Sequence, residues 1–188
     1  MEKVFDRGLL KDEFCFTEKH ARMVQQLKEP ISTEVPVPFF RSSVEVLIAA
    51  AQVGIIEGRR GKVDKSSSDT AKILADQMNT NSLAISRVFR LMMLLHEKDT
   101  INSQERLERA FLSDNKLEKR KSLEEIFFSY VLGGVEIIHG NIFGKAGTVV
   151  DIDEAIRNAN MFIEKLEHHK GIAKGKTAGM IQKLGADD

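Results

Sequence analysis

The stretch FFRSSVEVLIAAAQVGIIEGRRGKV, Phe39 to Val63, decides the fold class. Val44, Leu47, Ile48, Ala51 and Ile55 recur at steps of three and four, the spacing of one wide apolar helical stripe. Ala49-Ala50-Ala51 leaves room for a second helix to come close. Gly54 stands where the periodic pattern ends and is suited to a left-handed helix terminus, because it has no Cβ to clash. Gly58 and Gly61 then free a basic loop carrying Arg59, Arg60, Lys62 and Lys65.

Outward from this helix the chain reads as helix after helix. Upstream, EPISTEVPVPFF holds all three prolines and forms a stiff connector, since each proline removes a backbone donor and biases its predecessor towards extended geometry. Before it, Thr17 can cap a short helix from Glu18 to Lys28, and residues 1 to 16 are a loosely specified lead-in. Downstream, Ser68 or Asp69 can cap a helix reaching about Met78, Asn79-Thr80-Asn81 signals a turn, and Ser82 can cap the helix LAISRVFRLMMLLHE. A further helix covers Gln104 to Leu112, SDNKLEKRK is a polar linker, and an apolar helix runs from about Ser122 to His139. Gly140 to Val150 is a glycine-containing loop, and a last strong helix ends near Glu167. The expected fold is all-α, a compact bundle of roughly six or seven helices. Residues 1 to 38 form the lead-in and connector, 39 to 167 the helical core, and 168 to 188 a glycine-rich flexible tail.

Composition bounds the function. With 188 residues, 42% hydrophobic and 30% charged, the chain needs no disulfide or metal staple. No uninterrupted apolar run approaches the roughly 18 residues that span a bilayer, the N-terminal stretch offers no signal-peptide core, and the single Cys15 cannot form an internal disulfide. A cytoplasmic protein without membrane contact is expected. The 28 Lys and Arg balance 28 Asp and Glu, so only local charge can argue for a polyanionic partner. Between Gln77 and His96 there is no acid, while Arg87 and Arg90 are present.

The segment TAKILADQMNTNSLAISRVFR, Thr70 to Arg90, has the spacing of a helix-turn-helix. Ala75 takes the place where two helices cross, Asn79 supplies the turn, and Leu74, Met78, Ile85 and Val88 cover the inner faces. In such a unit Asn81, Ser82, Ser86 and Arg87 face bases and Arg90 faces a phosphate. Arg59, Arg60, Lys62 and Lys65 carry donors for further phosphate contacts. The alternative is one more helical hairpin and a soluble loop. In the helix Ile126 to Ile142, Phe127, Phe128, Tyr130 and Val131 spread around more than one face beside Gly133 and Gly134. That makes them a candidate interface, with a helix buried on all sides of the monomer as the other reading.

No catalytic centre, cofactor site or metal site emerges. GIAKGKT, Gly171 to Thr177, lacks the spacing and the preceding strand of a phosphate-binding loop. His168-His169 are adjacent rather than four apart, and Glu136 with His139 reads as a surface pair. Cys15 has no neighbouring base to activate it.

Two of these stretches, PFFRSSVEVLIAAAQVGIIEGRRGKV and EEIFFSYVLGGVEIIHGNIF, resemble a family of small proteins encoded beside DNA phosphorothioation (Dnd) and related restriction or phage-defence genes. The resemblance lies in the Ala-Ala-x-x-Gly helix end with its basic Gly-Arg-Arg loop and in the aromatic-Tyr-x-x-Gly-Gly helix. It implies a non-enzymatic accessory subunit of a DNA-directed defence system, binding DNA or docking onto a DNA-processing complex, and no catalytic residues. The alternatives are a helical scaffold or homo-oligomerisation protein without DNA contact, and a helix-turn-helix regulator.

Overall fold

The computed structural model describes residue 10 and residues 12–31, 36–63, 68–111, 117–144 and 152–184, with side chains for all of these except 117–120 and 169–184. Among the described residues there are seven helices and one two-stranded sheet. The order is β1 (Phe14–Thr17), α1 (Glu18–Lys28), α2 (Ser43–Ile56), β2 (Thr70–Ile73), α3 (Ala75–Thr80), α4 (Ser82–Leu95), α5 (Ser103–Phe111), α6 (Leu117–Phe143) and α7 (Ile152–Leu184). The chain divides into two compact units, Met1–His139 and Gly140–Asp188. The fold is all-α apart from the small sheet.

The first unit is built around α2 and α6. Ser42 caps α2 by accepting the Glu45 amide at 3.2 Å. Val44, Val46, Leu47, Ala50, Ala51, Val53 and Gly54 are all buried, so α2 is covered on more than the single stripe expected. Phe127, Val131 and Val135 of α6 are fully buried. The segment Lys121–Phe143 has the length and apolarity of a membrane crossing, and in the fold more than half of its most apolar window lies inside the protein.

Several boundaries differ from those expected. Thr70–Ile73 is not the start of a helix but strand β2, antiparallel to β1 with Phe14 opposite Ile73 and Phe16 opposite Ala71. Residues 14–17 thereby join the core, with Phe16 fully buried, instead of forming a loose lead-in. The two strands are four residues each and lie far apart in the chain, so no hairpin signal announces them. α6 begins at Leu117, inside the supposed linker, and continues past His139 to Phe143. α7 remains helical to Leu184, through Gly171, Gly175 and Gly179. Glycine weakens a helix by about 1 kcal/mol per residue but does not stop one, and no proline follows position 38. Phe5 and Leu9 of the lead-in, Lys65 of the basic loop, most of the Gly140 to Val150 loop and residues 185–188 lie outside the described residues.

Candidate functional site

The basic loop is folded back onto α6. Gly54, expected to end α2, instead lies inside it, because the helix continues to Ile56 with Glu57 as its cap. The left-handed residue is Gly58, with φ +63°, and the turn is closed by the Arg59 amide donating to the Gly54 carbonyl at 2.9 Å. The Gly61 amide then donates to the carbonyl of Ser129, within α6, at 2.7 Å. Residues 59 to 61 therefore lie along α6, and the glycines make this possible. A Cβ on Gly133 would overlap the Arg59 carbonyl, one on Gly134 the Ala50 carbonyl, one on Gly54 the Tyr130 carbonyl, and one on Gly61 the backbone at Leu132 and Gly133. The two stretches GIIEGRRG and YVLGG meet backbone to backbone.

Side chains fasten the same seam. Glu136, largely buried on α6, accepts from Lys19 Nζ at 2.7 Å and from Arg59 Nη2 at 3.1 Å, and His20 Nε2 lies 3.2 Å from it. Burial, the largest single influence, pushes the Glu136 carboxyl up. Hydrogen bonds from Lys19, Arg59 and His20, with the charge of Lys19, together outweigh it and hold the group below its ordinary value. Arg60 donates through Nε to Ser129 Oγ at 2.9 Å, and its guanidinium carbon lies 5.8 Å from the Tyr130 ring centroid. Tyr130 in turn meets buried His96, with the hydroxyl 3.1 Å from Nδ1. His96 Nε2 lies 3.4 Å from Glu97, which also lies within 3.8 Å of Arg109 on α5. Burial lowers the pKa of His96, partly opposed by Glu97 and reinforced by Arg60 and Arg109. A continuous polar network thus runs from α1 through the loop and α6 to the end of α4 and to α5.

The sequence-predicted residues fall into three groups. Arg59 and Arg60 are on the surface but hydrogen-bonded into the seam, whereas Lys62 is exposed. Of the residues expected to face DNA, Ser82 and Arg87 are exposed and Ser86 is half-buried. Asn81 donates its side-chain amide to the Gln77 carbonyl at 2.9 Å, and the Arg90 guanidinium lies 5.3 Å from the Phe111 ring centroid. In the hairpin α3–α4, Met78, Ile85 and Val88 bury their side chains, but Leu74 and Ala75 are exposed, so Ala75 does not mark the crossing of the two helices.

The candidate interface residues are packed within the chain. Phe127, Tyr130 and Val131 are buried, Gly133 and Gly134 are closed by Arg59 and Ala50, and Phe128 stacks on Phe14 at 4.0 Å between ring centroids. The reading of α6 as a helix surrounded within the monomer accounts for all six. Glu136 and His139 are not a surface pair. His139 is buried with Nε2 2.6 Å from Gln26 Oε1, while Glu136 turns to Lys19, His20 and Arg59. The sequence carries no sign of the roles of Lys19, His20, Ser129, His96 and Glu97 and pairs Glu136 with the wrong residue, because their partners lie mostly on distant elements and leave no local pattern.

The two stretches that meet in this seam are those whose resemblance pointed to the Dnd-associated proteins, and the family comparison agrees with them. A family model described as DNA sulphur modification system-associated protein 4 matches residues 15–168, most of the chain. The chain belongs to that family. Neither a curated protein nor a solved structure matches it significantly. The match begins at β1 and extends into α7, so the family signature includes the sheet, the seam and the α3–α5 segment together.

Proposed function

We propose that the chain is a non-enzymatic accessory subunit of the DNA sulphur modification system that acts by docking onto the system's DNA-processing proteins. The observation that supports docking over direct DNA contact is the use of Arg59 and Arg60. These cations, the most conspicuous in the sequence, donate to Glu136 and Ser129 and hold the loop against α6. Phosphate contacts draw on cations free to reorient towards the backbone of a duplex. As an accessory to a system that acts on DNA, the protein would work in the cytoplasm.

The test is to express the chain with the other proteins of its modification system and follow it by sedimentation. Co-sedimentation with one of them is expected; a chain that sediments alone in every combination contradicts docking. A second reading, direct DNA binding, draws on exposed Lys62 and Arg87 and on the acid-free run from Gln77 to His96. It requires a mobility shift of duplex DNA at low salt; Lys62→Ala should flatten its salt slope by about one unit for a phosphate no longer neutralised, and Arg87→Ala should change its sequence preference instead.

A further inference from the structure

The inner face of α4 is buried through Ile85, Val88, Phe89, Met92 and Met93. Its outer face is apolar as well. Leu83, Leu91 and Leu95 are 54%, 48% and 41% exposed, and exposed Arg87 stands between the first two. Single exposed leucines are ordinary, but here four residues at steps of four form one row, and such rows are the ridges that helices lay into the grooves of other helices. Phe111 of α5, also exposed, borders the row through the Arg90 guanidinium.

We infer that the row Leu83, Arg87, Leu91 and Leu95 is a docking ridge, and that its occupant is an amphipathic α-helix of a partner protein carrying leucine-sized anchors and a carboxylate opposite Arg87. The inference rests on the docking reading above and gives it a surface. The row geometry calls for a helix, and the leucines call for apolar anchors. The carboxylate follows from charge. Closing an apolar contact over Arg87 strips water from its guanidinium, which is costly without an anionic partner, and no acid lies anywhere from Gln77 to His96 to supply one from this helix. A second copy laying the same ridge against itself therefore brings two arginines and no carboxylate. Duplex DNA offers phosphates to Arg87 but nothing that leaves three leucines better off than in water.

The test places a photo-crosslinking residue at Leu91, and as a control at exposed Gln52 of α2, in the full chain expressed with all proteins of its modification system. The expected result is an adduct from position 91 and none from position 52, mapping to a helix of another protein of the system that bears Asp or Glu within one turn of the linked residue. Arg87→Glu and Leu91→Glu should each weaken co-sedimentation at least tenfold while the variants unfold at the wild-type temperature. An adduct with a second copy, an adduct with DNA, or unchanged co-sedimentation of both variants overturns the ridge and leaves docking through another surface standing. Failure of the wild-type chain to co-sediment with any protein of the system overturns the docking reading itself, and the ridge with it.

Discussion

At the crossing of α2 and α6, Ala50, Gly54 and Gly134 let two backbones touch, and Arg59 and Arg60 bend back onto α6, with Arg59 closing over Gly133. On the outer face of α4, Leu83, Leu91 and Leu95 face solvent with Arg87 among them. Both regions combine apolar or small residues with arginines, yet the first is closed within the chain and the second is open. The difference lies in what each arginine meets. Arg59 finds Glu136 and Arg60 finds Ser129 and Tyr130, whereas the helix that carries Arg87 contains no acid. A basic motif conspicuous in sequence is therefore no guide to where a partner binds until its internal partners are known.

The largest expected effect separates closed from open glycines. Gly134→Ala drives a methyl group into the Ala50 carbonyl, backbone that cannot step aside, and should cost about 3 kcal/mol, lowering the melting temperature by about 6–12 °C. Gly140→Ala, in the same helix with nothing within 4 Å of the added carbon, should leave stability unchanged or raise it by about 0.5–1 kcal/mol. Equal melting temperatures for the two variants would show that α2 and α6 are not in backbone contact.

Next in size is Phe128→Lys, which removes the stack on Phe14 and sets an ammonium against the aromatic cluster. A decrease of about 2–4 kcal/mol in denaturant unfolding is expected. A variant with wild-type stability and altered assembly would make Phe128 the interface residue that its sequence setting suggests.

The seam should also be acid-sensitive, in two windows. Glu136 has a folded pKa below its ordinary 4.5, so its contribution is present above that value and is lost as pH falls through the depressed folded one. Buried His96 and His139 have folded pKa values below their ordinary 6.5. The unfolded chain therefore takes up their protons first, and stability is full above about pH 7 and declines as pH falls through 6.5 towards the folded values. Thermal unfolding between about pH 7.5 and 5.5 should show that decline, and His96→Gln should reduce it. A flat profile in the wild type would mean that neither histidine is held neutral by the fold.

Much of the fold is legible in sequence, and the gaps have physical causes. α1, α2, α4 and α5 lie within a few residues of where the sequence puts them, because each carries its own local signal in its apolar spacing or in the proline and Asn79-Thr80-Asn81 breaks beside it. β1 and β2 carry none: four-residue strands paired across more than fifty residues are specified by the partner, not by the strand. Gly54 falls at the end of an apolar pattern and so looks like a terminus, when its lack of a side chain serves a crossing instead. The Glu136 hub is invisible for the same reason as the sheet, since Lys19 lies 117 residues away from it. The position of α4 is plain in sequence, but its outer leucines are not told apart from its core, because a leucine's apolarity does not say whether another element covers it.

The smallest expected effect belongs to the open surface. Leu91→Glu should change unfolding free energy by no more than about 0.5 kcal/mol, because the side chain already stands in water. A decrease comparable to that of Gly134→Ala would place Leu91 in the core.

The basic loop is a fixed part of the fold, held on α6, and not a mobile clamp. Amide hydrogen exchange at Gly61 in the free protein measures this directly, because that N–H donates to the Ser129 carbonyl inside the seam. Protection of Gly61 close to that of the α6 core amides is the predicted result. Exchange at the rate of an unprotected peptide, with the α6 core still protected, would show the loop free of the helix and contradict the account.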